Sequence, residues 1–387
     1  MKYKLSDLFE LQMGKTPSRD NPEYWSQPEF PWISIADLSN ADKYIYDTKE
    51  SLSRQAVEES GIKIIPAQTV IMSFKLSIGK VSITPVPMYS NEAIMAFIDK
   101  GIVKIKPEYL YYLLLHRNWD EGTNKAVMGK TLNKATLSEV VIDIHPIEEQ
   151  ERMVTILDKA SEIIDSYQRQ LRTLDTLIKA RFVEMFGTYP ANEKEWQTGT
   201  IRDLVAEVRY GSSRKAAEGI NGRYPYLRMN NITYGGELDL ADTKTIDIPD
   251  DELDKCTVRR GDILFNRTNS KELVGKTCVY NRDEMMVLAG FIVRVRLNDR
   301  AIPEFVSTFM NADFSKQMLL NMCKAAIGQA NINAQELQNI GIYIPPIDLQ
   351  KEFVSFKSQI DKSKAVVQAA LVKTQLLFDS LMQQYFG

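Results

Sequence analysis

Two short motifs of this chain are of a type that binds phosphate. Gly129-Lys130-Thr131 and Gly275-Lys276-Thr277 each resemble the end of a P-loop. A P-loop also needs a glycine five residues before its Gly-Lys pair, because the backbone must wrap around the phosphate. Those positions hold Asn124 and Ser270. Both motifs are therefore better interpreted as turns that carry a lysine than as nucleotide sites.

The residues that most often carry catalysis or hold metals are scarce. The chain has two histidines, His116 and His145, and three cysteines, Cys256, Cys278 and Cys323, among 387 residues. No Cys-x-x-Cys pair occurs, so the ligand spacing of a tetrahedral zinc site is missing. A Ser-His-Asp catalytic triad needs a histidine as its base, and two histidines give little scope for one. We expect no catalytic residue and no metal in this chain, and unpaired cysteines fit a reducing cytoplasm.

The remaining candidates for a functional site are polar loops rich in Arg, Lys and Asn. Arginine pairs bidentately with guanine and asparagine with adenine, whereas lysine reaches phosphates. Three such loops occur in each half of the chain, at corresponding places, which favours DNA contact over a merely solvated surface. The candidate DNA-binding residues are Lys15, Arg19, Lys75, Lys80, Lys130, Arg214, Lys215, Arg228, Asn230, Asn266, Arg267, Lys271 and Lys276. Among them, Arg228, Arg267 and Lys75 are the predicted base readers.

The charge distribution is uneven along the second half. The net charge is −3, which taken globally argues against nucleic-acid binding. Residues 237–254 contain eight acidic residues and one basic residue, Lys244, and both flanks of this run are basic. A net charge near zero is therefore compatible with one basic face on the protein.

Two long amphipathic segments must position these loops. Residues 148–186 repeat apolar residues at alternating steps of four and three over about five heptads, and residues 353–381 repeat a weaker version. Each helix of about 35 residues would be ~50–55 Å long. We expect the two helices to pack antiparallel on each other. Two separate helical hairpins or a homodimeric coil are the alternatives.

The regions between the helices carry short apolar alternations of the kind found in strands. Strands are predicted within residues 31–38, 69–74, 79–84, 225–232, 261–266 and 291–297, and helices within 108–116 and 304–318. Each region is therefore predicted to be a mixed α+β domain. No apolar run is judged long enough to span a bilayer, and the first residues lack the apolar core of a signal peptide.

The chain repeats itself at an interval of 200 residues. Residues 131–150 read TLNKATLSEVVIDIHPIEEQ and residues 331–350 read NINAQELQNIGIYIPPIDLQ, and each copy leads into a helical segment that ends in Phe-Gly. We predict an α+β fold with two pseudo-two-fold related globular α/β domains, which we call the heads, separated by two long antiparallel helices that form a coiled-coil spacer. The predicted boundaries are head 1 (1–145), spacer helix 1 (146–187), head 2 (188–345) and spacer helix 2 (346–387).

This arrangement resembles the specificity subunits of type I restriction–modification enzymes. The resemblance rests on Asn133 to Gln150 and Asn333 to Gln350, each followed by a long helix that ends in Phe-Gly. The opening Leu5-Ser6-Asp7-Leu8 and the motifs Gly261-Asp262-Ile263-Leu264 and Val274-Gly275-Lys276 fit as well. The resemblance covers nearly the whole chain. It lies in the arrangement of domains and helices, and the loop sequences do not contribute to it.

The resemblance implies a non-catalytic, cytoplasmic subunit that binds a bipartite site in double-stranded DNA, with one half-site for each domain. It implies two methyltransferase subunits that carry S-adenosylmethionine and methylate adenine. Restriction subunits that use ATP and Mg²⁺ are optional partners, and no membrane is involved. The rival hypothesis is a non-catalytic protein scaffold with two binding heads and a coiled seam. The DNA target, the spacer length and the base-reading residues do not follow from the sequence.

Overall fold

The computed structural model describes residues 1–26, 29–75, 77–119, 124–126, 129–214, 222–270, 272–323 and 330–387, with residues 124–126 and 129–131 described by their backbone alone. The chain forms two compact units. Unit 1 comprises Met1–Gln168 and Ala369–Gly387, and unit 2 comprises Arg169–Gln368. Each unit therefore contains parts of both long helices.

Unit 1 combines short strands and short helices with parts of both long helices. Its strands are β1 (Lys2–Lys4), β2 (Phe9–Met13), β3 (Phe30–Ile33), β4 (Glu50–Leu52), β5 (Thr69–Ser73), β6 (Val81–Thr84), β7 (Tyr89–Ser90), β8 (Ile94–Asp99), β9 (Asn124–Ala126), β10 (Gly129–Thr131) and β11 (Val141–Asp143). Its helices are α1 (Leu5–Leu8), α2 (Glu23–Ser26), α3 (Ile35–Asn40), α4 (Arg54–Ser60), α5 (Pro107–His116), α6 (Lys134–Ser138) and the start of α7 (Ile147–Phe186).

Unit 2 repeats this composition after the end of α7. Its strands are β12 (Thr198–Thr200), β13 (Val205–Tyr210), β14 (Tyr224–Leu227), β15 (Lys244–Ile246), β16 (Thr257–Val258), β17 (Ile263–Asn266), β18 (Thr268–Asn269), β19 (Thr277–Val279), β20 (Met286–Leu288), β21 (Ile292–Leu297), β22 (Ala330–Asn331) and β23 (Gly341–Tyr343). Its helices are α8 (Asp250–Cys256), α9 (Pro303–Asn311), α10 (Asp313–Met322), α11 (Ala334–Gln338) and the start of α12 (Ile347–Phe386), with 3-10 turns at Ile201–Leu204 and Met229–Asn231.

The two units share one topology. The main sheet has the strand order β2-β8-β5-β6 in unit 1 and β13-β21-β17-β19 in unit 2. A second sheet has the order β4-β3-β7 in unit 1 and β15-β14-β20-β16 in unit 2, and the pair β1-β11 corresponds to β12-β23. The predicted α+β class and the duplication are thus confirmed, and the likeness extends from the helices into both heads.

Three predicted elements differ from the structure. Residues 31–38 and 225–232 were each expected to be one strand, but each strand stops after four residues and a helical turn follows. Ser34 causes the first change, because its side chain caps α3 by accepting from the amide of Asp37. The helix expected at 304–318 is instead α9 and α10, because Ala312 is in an extended conformation between them.

The long helices bury part of the seam that the heptads predicted: Leu157, Ala160, Ile164 and Ile178 of α7 are buried, whereas Leu377 of α12 is 55% exposed. Within unit 2, α7 and α12 run antiparallel, because Asp175 pairs with Lys364 and Arg181 with Glu352. Within unit 1, Leu157 of α7 and Met382 of α12 belong to one hydrophobic cluster. By length and composition α12 could cross a membrane, contrary to the expectation from the sequence. Its first and last turns, however, pack into the hydrophobic clusters of the two units.

Candidate nucleic-acid interface

A glycine fixes the start of the first polar loop in each unit. Gly14 follows β2 and Gly211 follows β13. A Cβ at Gly14 would clash with the carbonyl oxygens of residues 90 and 91, and a Cβ at Gly211 would clash with those of residues 288 and 289. The backbone therefore passes close to the neighbouring strand, as only glycine permits. An aromatic residue then holds each loop, since Trp32 Nε1 donates to the Lys15 carbonyl (3.1 Å) and the Tyr226 hydroxyl donates to the Arg214 carbonyl (2.9 Å).

In unit 1, the side chains of Lys15 and Arg19 are exposed but already engaged. Lys15 Nζ donates to the carbonyl oxygen of Ser60. Arg19 makes a bidentate pair with Glu50 and lies over the ring of Trp25, with its guanidinium carbon 3.7 Å from the ring centroid. The Arg19 hydrogen bond is the main cause of the lowered pKa of Glu50. This stack holds Arg19 in one orientation at the loop.

Lys75 and Lys80 flank the loop that follows β5. Lys80 is exposed, and Lys75 is half-buried with its ammonium 5.2 Å from the ring centroid of Phe74. Within the described part of unit 1, no carboxylate lies within ion-pair distance of either ammonium. Both remain available for an anionic ligand. The side chain of Lys130 lies outside the described residues.

In unit 2, two of the predicted arginines pair with the acidic run. Arg214 forms a bidentate pair with Glu252 (2.7 and 3.1 Å), and Arg228 donates to Asp242 (2.8 Å). The Arg228 hydrogen bond lowers the pKa of the Asp242 carboxyl. The acidic run of residues 237–254 thus forms ion pairs with two arginines of the basic flank that precedes it. Asn230 is exposed at the edge of this pairing, 3.5 Å from Asp242.

Two predicted DNA contacts are buried in the fold. Asn266 is fully buried, and its Nδ2 donates to the Met229 carbonyl (2.9 Å). Lys276 is 8% exposed, and burial lowers the pKa of its ammonium. A side chain must reach a groove or a phosphate to contact DNA. Asn266 and Lys276 therefore support the loop in this structure and are poor candidates for direct contact. Lys215 and Lys271 lie outside the described residues.

Arg267, unlike Arg228, keeps most of its side-chain donors available for a ligand. Its guanidinium carbon lies 4.9 Å from the ring centroid of Tyr210, and its Nε is 3.4 Å from Oδ1 of Asn331. No carboxylate pairs with Arg267 among the described residues, so its outer nitrogens keep their donors for a ligand. Tyr210 is 43% exposed, and its hydroxyl accepts from the Ala334 amide at 2.9 Å.

Tyr210, Arg267 and Asn331 form a cluster of donors and acceptors that we name the Arg267 cluster. Neither Tyr210 nor Asn331 is among the residues that the sequence predicts to contact DNA. Asn331 reaches Arg267 because β18 pairs with β22, a contact between residues more than sixty positions apart. No short-range sequence signal could have identified it.

The described residues offer no evident site for a metal. No group of three or more His, Cys, Asp or Glu that could hold an ion occurs within them. Cys256 and Cys278 are buried, and burial raises the pKa of the Cys278 thiol to about 12. A thiol of this kind is a poor nucleophile, because the thiolate is the reactive form.

A family model described as "Type I restriction modification DNA specificity domain" matches the chain twice, over residues 1–175 and 193–371. The two matches together cover most of the chain. They coincide with the two copies of the shared topology.

The curated relatives are specificity subunits of type I restriction enzymes. The chain is 28% identical to the MjaIX specificity subunit of Methanocaldococcus jannaschii over 262 residues, which is 62% of this chain and 59% of the relative. It is 22% identical to the EcoKI specificity subunit of Escherichia coli over 291 residues, which is 70% of this chain and 62% of the relative. The matches thus span about three fifths of each relative's length.

Solved structures show the same fold. The type I restriction–modification S subunit from M. genitalium superposes with a TM-score of 0.57 at 13% identity, covering 100% of this chain and 96% of the other. A chain from a study of complex assembly and conformational transition of the type I system gives a TM-score of 0.60 at 15% identity, covering 100% and 97%.

Proposed function

Because this chain belongs to the family of type I restriction–modification DNA specificity domains, we propose that it is the DNA-recognition subunit of a type I restriction–modification complex. One observation carries the proposal: the same DNA specificity domain occurs twice, on two units of equal topology with different loops. Each unit then reads one half of a bipartite target. The predicted domain boundaries (1–145, 146–187, 188–345 and 346–387) belong to this proposal.

The loops at the Arg267 cluster and around Lys75 and Lys80 are the proposed recognition surfaces. Arginine donates bidentately to guanine O6 and N7 in the major groove, and tyrosine and asparagine complete polar contacts around it. Lys75 and Lys80 have no carboxylate partner among the described residues of unit 1, which suits them to phosphates. Arg214 and Arg228 would have to exchange a carboxylate for DNA.

The partners follow from the same proposal. Two methyltransferase subunits would bind S-adenosylmethionine and methylate adenine, and restriction subunits that use ATP and Mg²⁺ would add cleavage. An exposed apolar face on α12 supports such docking: Val372, Leu376 and Leu377 are 50%, 65% and 55% exposed. Val372 and Leu376 are four residues apart and share one side of the helix. We place the complex in the cytoplasm, with no membrane contact.

The decisive experiment is a head exchange in the complete complex. Residues 1–145 are replaced by the corresponding domain of another specificity subunit, and the complex is purified with its methyltransferase subunits. Methylome sequencing should show one half-site changed and the other retained. A change in both half-sites, or in neither, would refute the assignment of one half-site to each domain.

A mobility-shift assay separates this proposal from the scaffold hypothesis. Methyltransferase subunits are mixed with DNA of random sequence, with and without the chain. A recognition subunit should create salt-sensitive, sequence-selective binding, because the lysines and arginines release counterions from DNA. A scaffold would leave DNA binding unchanged.

A further inference from the structure

Unit 2 contains a cavity of about 550 Å³ at the junction of its head with the long helices. Its lining includes Ile178 and Phe182 of α7 and Ser307, Thr308 and Asn311 of α9. Tyr234, the start of α10 and the α12 residues Lys357, Asp361 and Lys364 also line it. The volume lies within the range of ordinary small-ligand sites.

Unit 1 fills the corresponding space with two tyrosines. α5 begins Pro107-Glu108 and α9 begins Pro303-Glu304, so Tyr111 and Tyr112 correspond to Ser307 and Thr308. Tyr112 is 2% exposed, and its ring centroid lies 6.2 Å from that of Phe378 on α12. Phe378 occupies the position in α12 that Ile178 occupies in α7, 200 residues earlier.

The cavity of unit 2 is therefore the place that phenol rings occupy in unit 1. Serine and threonine at these positions of unit 2 lack the two aromatic rings, and the space between the helices remains open. The pocket opens to solvent beside Tyr234, which is 55% exposed. An aromatic guest would give the apolar part of the lining the van der Waals contacts that it lacks.

Two polar groups of the cavity lack the partners that they would normally have. Asn311 donates through Nδ2 to the carbonyl oxygens of Thr277 (2.7 Å) and Ser307 (2.9 Å), while its Oδ1 is buried without a hydrogen-bond partner. In unit 1 the same helical position is Leu115. Oδ1 of Asn311 is an unused acceptor for a hydroxyl or amino donor.

Lys316 is the second such group. Its ammonium donates to the Gly275 carbonyl (3.2 Å) and lies 5.2 Å from the ring centroid of Tyr234. Burial, followed by the charges of Lys276 and Lys179, lowers the pKa of Lys316 to about 8.

The other three lysines of the lining each pair with carboxylates. Lys179 pairs with Asp313 (2.9 Å), Lys357 with Asp361 (2.6 Å), and Lys364 with both Asp175 and Glu237 (2.6 and 2.5 Å). No such partner of Lys316 occurs among the described residues. An anion beside Lys316 would therefore supply a missing counter-charge.

We propose that this cavity is a binding site for a phenol ring that carries a nearby carboxylate. The ring fills the space left by Ser307 and Thr308, the hydroxyl donates to Oδ1 of Asn311, and the carboxylate accepts from Lys316. A free aromatic acid or an aromatic side chain of a partner subunit with an adjacent acidic residue could supply this chemistry. The site lies outside the recognition loops and does not depend on the proposed function.

The test uses the full chain and 4-hydroxyphenylacetate as the probe, followed by ligand-observed NMR and calorimetry. We expect saturable binding with a dissociation constant on the order of 1 mM or lower. Phenylacetate, without the hydroxyl, and 4-hydroxyphenylethanol, without the carboxylate, should each bind at least about tenfold more weakly, the loss expected from ~1.4 kcal/mol.

Three variants connect the binding to the cavity. The double variant Ser307→Tyr with Thr308→Tyr rebuilds the arrangement of unit 1 and should abolish binding while raising the melting temperature. Lys316→Met should weaken the probe at least about tenfold, equivalent to ~1.4 kcal/mol, and the exposed Lys351→Met should leave it unchanged. Absence of saturable binding to the wild-type chain, or equal binding to Lys316→Met, would overturn the proposal.

Repeating the titration on the complex with its methyltransferase subunits identifies the source of the ligand. Retained probe binding points to a free aromatic acid. Binding that the isolated chain shows and the complex loses, with recovery when the partner is removed, points to a partner side chain in the cavity. Probe that binds the complex but not the isolated chain would contradict the site.

Discussion

Gln350, fully buried in the first turn of α12, accepts a hydrogen bond from the backbone amide of Ile302 at 2.9 Å. Its Nε2 donates to the carbonyl oxygens of Arg300 and Pro345. Gln150 does the same in unit 1, where Oε1 accepts from the Lys106 amide and Nε2 donates to two carbonyls. Gln150 and Gln350, which match in the repeat, thus connect each long helix to the head of its unit by hydrogen bonds.

Replacement of either glutamine by leucine should destabilise the chain by ~1–3 kcal/mol, because an amide and two carbonyls lose a buried partner. Urea unfolding of Gln150→Leu and Gln350→Leu measures this. The exposed Gln168→Leu, on the same helix as Gln150, is the matched control and should change little. Equal effects at Gln168 and Gln350 would contradict this connection.

Arg267→Ala should cost ~1–3 kcal/mol of DNA affinity at one base position of one half-site, as expected for loss of a bidentate contact. Competition binding with single-base variants of the target measures it. Arg260→Ala is the control, since Arg260 is exposed and pairs with Asp283 at 2.7 Å. A uniform loss across all sequences would identify Arg267 as a phosphate contact instead.

Asp242→Asn should strengthen non-specific DNA binding and steepen its dependence on salt. The substitution removes a carboxylate that holds Arg228, so the guanidinium becomes available to a phosphate. Affinity measured at several salt concentrations reports both effects. The exposed Asp299→Asn, for which no ion pair is described, should leave the salt slope unaltered.

The two heads are fastened to the long helices by ion pairs of opposite polarity. In unit 1, Lys43 of the head pairs with Asp158 of α7 (2.5 Å), and in unit 2, Glu237 of the head pairs with Lys364 of α12 (2.5 Å). Each head therefore contributes a charge opposite to that of its partner residue on the long helix.

Charge reversal tests this pairing. Lys43→Glu should destabilise unit 1, and the added Asp158→Lys should recover part of the loss, with a coupling free energy of ~0.5–3 kcal/mol. A double-mutant cycle by chemical unfolding provides the number. Zero coupling would show that the pair contributes nothing to the fastening.

Leu376→Asp should prevent co-purification of the methyltransferase subunits while the chain stays folded. Leu376 is 65% exposed, so the substitution costs little in the free chain but would bury a charge at the proposed docking face. Ser355→Asp, exposed on α12 more than fifteen residues before Val372, is the control. Retention of the subunits by Leu376→Asp would exclude this face as the docking surface.

The sequence was most informative where the signal is local or repeated. The heptads of residues 148–186 predicted α7 to within one residue, since a helix is set by side chains three and four positions apart. The repeat at residues 131–150 and 331–350 predicted a duplicated α+β architecture. The break at Ala312 escaped prediction, because no proline or glycine marks it.

The polar loops show what sequence by itself determined and what it left open. Residue type and spacing identified Arg267 as a candidate, yet the same reasoning also selected Asn266, one position earlier, which the sheet buries. Only the tertiary structure decided that Arg228 faces Asp242 and that Asn331 reaches Arg267, because strand pairing and burial bring together residues distant along the chain. The residue type sets which contacts a side chain can make, whereas the fold decides whether that side chain is accessible to a ligand.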